Sequence, residues 1–408
     1  MKENAYFDNA ATTWPKPESV YEFMDAFFRS HGVNPGRSGS LLALEAEQMI
    51  NQTRSMLGQF FNYSGPAGRV VFSLNGTDAL NQAIVGLVGP GDHVVTTRLE
   101  HNAVLRTMNH LERDHALEVT RVAPNSAGYI DPDDIRRAIK KQTRAIVLNH
   151  ASNVIGTVQP LSEVAQIARK NGIPLIVDVA QTAGVLPIDM DNMEIAILTF
   201  PGHKGLFGPM GVGGMIVSES VELDPSRFGG TGVDSLSTYQ PDAYPYRMEA
   251  GTVSLPGIAG LHAAQHWFSA LGTSLLESEG SGPTESLTHR VCCVRAMSHI
   301  HDTELSHIQQ IEQKLKKYSS VHILGEPARD ARVATMSFVV EGLSTERIAD
   351  QLDADHHICA RAGLQCAPLV HVDAGTAEGG GAIRLSPGYF TDEEDMQQLM
   401  RALDDILG

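Results

Sequence analysis

Cysteines, aromatic residues and long apolar runs are all scarce in this sequence. Its 408 residues include 4 cysteines, and aromatic residues make up 6%. So few cysteines, without a CxxC pair, indicate neither a disulfide framework nor a zinc site, so we expect no metal and a reducing, cytoplasmic location. No apolar run approaches the ~18 residues that cross a bilayer, and the first residues lack the apolar stretch of a secretory signal.

Positive charge is also scarce. There are 31 Lys and Arg against 48 Asp and Glu, which gives a formal net charge of −17. An acidic surface repels phosphate backbones and anionic lipids, so we expect neither a nucleic-acid nor a membrane partner. The length favours two domains rather than one.

Short β-branched runs alternate with helical patterns between about residues 68 and 220. The helix candidate Leu161–Asn171 has apolar residues at helical spacing and is followed by Gly172. Such alternation predicts an α/β fold with a mostly parallel sheet, whose ligands bind at the carboxyl ends of the strands. The strand candidates are Val70–Leu74, His93–Thr97, Arg144–Asn149, Pro174–Val179, Ile195–Thr199 and Val212–Val217.

The pattern changes after about residue 262 to that of a smaller α+β domain. Ser278–Glu285 is typical of a loop, and Thr284–Tyr318 of a long helix. Val333–Val340 is a strand candidate. Thr391 and Glu394 form a predicted capping box at the start of the last helix.

Three strand ends carry residues that suit an anionic cofactor. Gly76, Thr77 and Asp78 start a helix, whose free N–H groups bind phosphate, although ordinary turns favour the same residues. Asp178 ends an apolar strand, where an unpaired acid is costly; a helix N-cap is the alternative. Lys204 lies among glycines and suits imine formation better than a role as a solvated loop residue.

A second group of residues suits an amino-acid substrate. Cys366 lies in a loop with Gly, Pro and polar neighbours, where a thiol can reach a ligand, although cysteine is often only a small core residue. Arg361 and Arg384 can each bind a carboxylate through paired hydrogen bonds. His101, just after a strand, could stack on a ring and carry protons, but a lone histidine is more often structural.

Taken together and in this order, these segments resemble the class V aminotransferase superfamily, in particular its cysteine desulfurase and selenocysteine lyase branch. The resemblance runs from YFDNAATT at 6–13 to RLSPGYFTDEED at 384–395. It implies the fold type I of enzymes that use pyridoxal 5'-phosphate (PLP). The large domain, 14–262, would hold a mostly parallel seven-stranded sheet, and 1–13 with 263–408 would form the small α+β domain.

The resemblance also implies how the cofactor is held. Lys204 would form the Schiff base, Asp178 would pair with the pyridine nitrogen and Gln181 would contact the phenolic oxygen. His101 would stack on the ring, and Asn153 matches an active-site asparagine.

The phosphate has its own set of residues in the family pattern. Gly76, Thr77 and the backbone up to Asp78 would cradle it, with His203 beside them. Thr252 would reach it from the neighbouring subunit, which implies a homodimer.

The implied reaction converts L-cysteine to L-alanine. Arg384 would bind the substrate carboxylate, with Asn153 and Arg361 nearby. Cys366 would take the sulfur as a persulfide and pass it to an acceptor protein, and His101 would carry a proton. L-Selenocysteine as the substrate of a lyase, or another class V reaction on an amino acid, remains an alternative.

Three positions depart from the family pattern. Pro201 replaces the usual serine that binds phosphate, Gln365 replaces the usual histidine before the cysteine, and Phe390 replaces an asparagine.

Overall fold

The computed structural model describes residues 4–36, 39–280, 287–325 and 331–408. The strands are β1 (Ala5–Tyr6), β2 (Val70–Ser73), β3 (His93–Thr97), β4 (Glu118–Val122), β5 (Thr143–Asn149), β6 (Leu175–Asp178), β7 (Ile197–Pro201), β8 (Gly213–Val217), β9 (Val321–Ile323), β10 (Met336–Val340), β11 (Ile358–Cys359), β12 (Arg361–Gly363) and β13 (Ala382–Leu385). The α-helices are α1 (Glu18–His31), α2 (Leu41–Phe60), α3 (Gly76–Leu87), α4 (Asn102–His115), α5 (Pro132–Ala138), α6 (Leu161–Asn171), α7 (Leu255–Ser278), α8 (His289–Leu315), α9 (Thr345–Ala354), α10 (Pro368–Asp373) and α11 (Glu393–Leu407).

A seven-stranded sheet in the order β2-β8-β7-β6-β5-β3-β4 forms the centre of the fold. Its strands pair in parallel except where β8 runs antiparallel to both of its neighbours. The α/β fold and the mostly parallel sheet are therefore confirmed. The register pairs Asn149 with Asp178 and Asp178 with Thr199, so β5 and β6 end side by side and β7 ends two residues further on, at Pro201. This edge holds the site described below.

Helices cover the sheet because their apolar faces need a partner. In α6 the buried residues include Leu161, Val164 and Ala168, which recur at helical spacing. The helix ends at Gly172, which has a φ of 62°, a conformation that glycine adopts without strain. The predicted helix Leu161–Asn171 is thus confirmed at both ends.

A second sheet is antiparallel, in the order β12-β13-β10-β9. Strand β1 pairs in parallel with β11, at Ala5 with Ile358, so the first residues join the C-terminal part of the chain. Helix α7 runs without a break across the predicted domain boundary at residue 262. The boundary itself stays a prediction.

Some local predictions were wrong. The capping box of α11 is formed by Asp392 and Asp395, one residue after the predicted pair, and Thr391 accepts from the Gly388 N–H instead. Ser278 belongs to a helix, and residues 281–286, which include Thr284, lie outside the described part of the chain. Among the described helices, none is long and apolar enough to cross a membrane.

Candidate active site

A cavity of about 310 Å³ opens where β5, β6 and β7 end. Of the residues predicted for the site, those that line it are Gly76, Thr77, His101, Asn153, Asp178, Gln181, His203, Lys204, Arg361, Cys366 and Arg384. Residues that lie far apart in the sequence, in the N-terminal, central and C-terminal parts, therefore meet at one place.

Two predicted residues do not line this cavity. The Asp78 side chain accepts from the Leu74 N–H at 2.9 Å and pairs with Arg227 at 3.2 Å. Thr252 is exposed and lines a different cavity of about 1260 Å³. Within one chain, neither side chain is part of the site.

The turn before α3 supplies backbone donors to one end of the cavity. Asn75 caps the helix by accepting from the Asp78 N–H at 2.9 Å. That N–H is therefore already used, and Gly76 and Thr77 provide the first free N–H groups. A Cβ on Gly76 would lie 3.3 Å from the Pro201 ring, so the proline that replaces a serine packs directly on the turn.

Asp178 is buried and Lys204 is half-buried in this cavity, and the two groups interact electrostatically. Burial lowers the pKa of Lys204 to about 8, which the negative charge of Asp178 opposes. Burial raises the pKa of Asp178, against the Ala180 N–H that its carboxylate accepts at 2.9 Å and the charge of Lys204. A lysine with this pKa has a substantial fraction of neutral, nucleophilic amine at pH 7–8.

His101 is the N-cap of α4 as well as a cavity residue. Its Nδ1 accepts from the Ala103 N–H at 3.0 Å. Burial, with Lys204 second, lowers the pKa of His101 to about 4. The ring is therefore neutral at pH 7 with its proton on Nε2. Its role as a proton carrier stays a prediction.

Glu100, which the sequence analysis missed, is a fully buried acid next to this site. Its Oε1 accepts from Thr97 Oγ1 at 2.8 Å and from the Asn149 N–H at 3.0 Å, whereas Oε2 has no hydrogen-bond partner among the described residues. Burial raises the pKa of Glu100 to about 8, and the negative charge of Asp178 adds to this. The carboxyl group is therefore largely protonated at neutral pH.

The protonated state of Glu100 predicts how the stability of the folded protein depends on pH. Between the ordinary pKa of 4.5 and about 8 the folded state keeps a proton that the unfolded state loses, so Glu100 makes stability fall as pH rises. We expect Glu100→Gln to be close to the wild type in stability at pH 5 and several kcal/mol more stable at pH 9, because the pKa rises from 4.5 to about 8 on folding. Urea unfolding at both pH values measures this, with the exposed Glu163→Gln as control. Equal stability of wild type and Glu100→Gln at pH 9 would contradict it.

Both arginines of the cavity pair with Asp8, another residue that the sequence analysis missed. Arg361 donates from Nε and Nη2 to the Asp8 carboxylate, at 2.7 Å for the shortest bond. The buried Arg384 donates from Nη2 to Asp8 at 2.6 Å and from Nη1 to the Asn153 carbonyl at 3.0 Å. Asp8 is not visible in local patterns because its partners lie more than 350 residues along the chain.

The Cys366 loop is held on several sides. Gln365 and Cys366 have φ angles of 42° and 57°, which non-glycine residues rarely adopt. The Gln365 side chain donates to the Ala382 carbonyl at 2.8 Å and accepts from His371 Nε2 at 2.7 Å. Asn153 donates to the Gln365 carbonyl at 2.6 Å. Because an amide does not titrate, Gln365 positions the loop but cannot exchange protons as a histidine would.

Several features of the cavity fit PLP. Asn153 Oδ1 and His203 Nδ1 are buried and have no hydrogen-bond partner in the described part of the chain, so each has capacity for a polar ligand. The free N–H groups at the start of α3 suit a phosphate, and the Lys204 amine suits an aldehyde. The residues present are therefore compatible with this cofactor.

The sequence matches the family described as aminotransferase class-V over residues 5–292 and 293–399. The chain therefore belongs to that family. The probable cysteine desulfurase of Methanothermobacter thermautotrophicus is 30% identical, over 100% of this chain and 96% of that protein. The probable cysteine desulfurase of Pseudomonas aeruginosa is also 30% identical, over 98% and 92% respectively. The predicted cysteine desulfurase branch is thus confirmed.

Solved structures show the same fold. The apo cysteine desulfurase of Thermococcus onnurineus has a TM-score of 0.86 at 26% identity, covering 99% of this chain and 95% of that one. The cysteine desulfurase CsdA of Escherichia coli has a TM-score of 0.82 at 24% identity, covering 100% and 96%. These likenesses confirm the predicted fold type and extend over the whole chain.

Proposed function

We propose that this chain is a PLP-dependent cysteine desulfurase that converts L-cysteine to L-alanine. One observation carries the proposal: Lys204, Arg384 and Cys366 line the same cavity. An amine, a carboxylate-binding guanidinium and an accessible thiol are the groups that this reaction needs. The two relatives described above carry the same activity in their names.

The cofactor would be held by the residues that line the cavity. Lys204 would bind it covalently, Asp178 and Gln181 would contact the ring, and the Gly76–Thr77 backbone would bind the phosphate. PLP, when bound, supplies an electron sink for the electrons left at the substrate Cα. The Asp178 carboxyl group would pair with the ring nitrogen and so favour the protonated form of that nitrogen.

The protein's own groups would then act on the substrate. Arg384 binds the carboxylate through its free N–H groups, and the Lys204 amine accepts the Cα proton. The Cys366 thiolate attacks the substrate sulfur, so an S–S bond forms while the Cβ–S bond breaks. The electron pair of the broken bond stays on Cβ, which takes a proton and becomes the methyl group, and Cα takes a proton back from Lys204 to give alanine. Cys366 ends as a persulfide, and no external oxidant is needed.

Product analysis of the purified enzyme tests this function. With L-cysteine and a thiol reductant we expect alanine and sulfide in equal amounts. L-Selenocysteine serves as a second substrate and should give alanine and selenide. Pyruvate, a keto acid or a racemised amino acid in place of alanine would overturn the proposal in favour of another class V reaction.

We further propose a homodimer in which Thr252 reaches the partner's cofactor site. Thr252 is exposed and lies outside the active-site cavity of its own chain, which supports this arrangement. Exposed apolar side chains are also available for burial, among them Leu41, Phe228, Leu236 and Tyr239. Light scattering should give twice the chain mass of 44.0 kDa, and a monomer that binds and turns over cysteine would contradict it.

We also propose a cytoplasmic location, which the four free cysteines support.

A further inference from the structure

The carbonyl oxygen of His203 accepts hydrogen bonds from three donors near the start of the chain. The Thr13 N–H, the Thr12 hydroxyl and the Lys16 amine each lie 3.1 Å from it. Because a carbonyl oxygen has two lone pairs, three donors are more than it can serve one to one. This carbonyl belongs to the peptide bond between His203 and Lys204, so the donors hold the backbone directly before the lysine of the cavity.

Lys16 is the charged member of these three donors. It is half-buried, and among the described residues no carboxylate forms an ion pair with it. Its amine instead bridges the carbonyls of Thr13, at 2.8 Å, and His203, at 3.1 Å. Burial lowers the pKa of Lys16 to about 8, so the amine is mostly protonated at pH 7. A cation that leaves water without a carboxylate partner costs free energy, which indicates a role beyond surface charge.

The backbone around Lys204 needs such contacts because glycines surround it. Gly205 follows Lys204, and Gly202 precedes it by two residues. Glycine leaves the chain more freedom than other residues do, so neighbouring segments have to fix its conformation. Gly205 packs closely on the Ala183 carbonyl, from which a Cβ would lie only 2.4 Å. The donors at the His203 carbonyl hold the other side of Lys204.

A fixed His203–Lys204 peptide bond sets the direction in which the Lys204 side chain leaves the backbone. An amine attacks an aldehyde carbon only within a narrow range of distance and angle, so this direction affects how readily the bond forms. The bond from Lys16 is charge-assisted and therefore stronger than the neutral bond from the Thr12 hydroxyl. Lys16 does not line the cavity, so it would act through Lys204 and not on the ligand.

We propose that Lys16 is a positioning residue, which orients Lys204 for covalent attachment of PLP by holding the His203 carbonyl. The inference rests on the proposed function, since it assumes that PLP is attached to Lys204. It differs from a general contribution to folding because it predicts a loss that is specific to a ligand with an aldehyde.

Two forms of the cofactor separate these two roles. PLP carries the aldehyde that can join Lys204, whereas pyridoxamine 5'-phosphate carries an amine in its place and binds only non-covalently. Their dissociation constants for the full chain, freed of cofactor, are measured at pH 7 by fluorescence titration. We expect Lys16→Met to bind PLP at least about tenfold more weakly, because a charge-assisted hydrogen bond is lost. Its affinity for pyridoxamine 5'-phosphate should stay within about twofold of the wild type.

Matched variants test the charge and the site. Lys16→Arg keeps the charge and should keep more of the wild-type preference for PLP than Lys16→Met does. Lys170→Met, in the exposed last turn of α6, should keep all of it. Thr12→Val removes the neutral donor and should lower the preference by about twofold to threefold, which keeps the test decisive if Lys16→Met does not fold.

The same measurements show which idea fails. Equal weakening of both ligands in folded Lys16→Met, or an unchanged preference in Lys16→Met or Thr12→Val, overturns the inference while the proposed function stands. Equal preferences in Lys16→Arg and Lys16→Met also count against it. If the wild type binds PLP no more tightly than pyridoxamine 5'-phosphate, the proposed function fails, and the inference fails with it.

Discussion

Lys204→Ala should lose covalent attachment of PLP and all measurable turnover of cysteine. Lys204 is the lysine among the described residues that line the cavity, and burial lowers its pKa to about 8. Its amine is therefore the group best suited to attack the aldehyde of PLP. The variant also lacks the amine that we propose takes the Cα proton. Loss of a group that acts at more than one step typically costs several orders of magnitude in rate.

Borohydride reduction followed by peptide mass spectrometry measures the attachment site. The label should lie on the wild-type peptide that contains Lys204, and it should be absent from the variant. Lys170→Ala, in the exposed last turn of α6, is the control and should bind cofactor as the wild type does. Lys16 also has a pKa lowered to about 8 but does not line the cavity, so a label on Lys16 would show that the assignment is wrong.

Cys366→Ala should lose sulfur release from cysteine by at least about 100-fold, because no thiolate is left to take the sulfur. The same variant should still bind cysteine, since Arg384 and Lys204 are unchanged. Selenium release from selenocysteine should largely survive, because a selenol ionises readily and needs no attacking thiol. Alanine formation from both substrates, in the wild type and the variant, measures the difference.

A mass spectrum after a single turnover identifies the thiol directly. The wild-type peptide that contains Cys366 should gain roughly 32 Da, the mass of one sulfur. Cys359→Ala is the matched control, because Cys359 is only partly exposed in β11 and does not line the cavity. Full desulfurase activity in Cys366→Ala, or the added mass on Cys359, would contradict the assignment.

The sequence was sufficient for features that depend on local chemistry. Helix α6 was predicted to the residue because its apolar spacing and the terminal Gly172 are both local signals. Strand β4 was missed because it is an edge strand whose residues are mostly half-exposed, so its pattern lacks a buried run. The cap of α11 was placed one residue early because Thr391 and Asp392 are both good caps, and only the geometry distinguishes them.

Features that depend on the tertiary fold were harder to predict. The resemblance named most of the residues that line the cavity, yet it gave no role to Asp8 or Glu100. The sequence around a single acidic residue does not indicate which residues it contacts when those residues lie on strands far away in the chain. Asp78 was expected at the phosphate, and only the structure shows that its N–H is taken by Asn75 and its carboxylate by Arg227.

The anchoring of the Cys366 loop bears on how sulfur could leave the enzyme. The Cys366 carbonyl accepts from the Asn102 N–H at 2.7 Å, and the Gln365 side chain donates to the Ala382 carbonyl. Helix α10 begins at Pro368, two residues after Cys366. Because the loop that carries Cys366 is short and anchored on both sides, its thiol cannot move far from the cavity. A large loop movement would therefore not deliver the persulfide sulfur. Under the proposed function, an acceptor would instead have to approach the exposed Cys366 at the rim of the cavity. The rate of sulfur transfer would then depend on how the acceptor protein docks at the cavity. An acceptor whose thiol lies on a narrow, protruding segment would fit better than one with a flat surface.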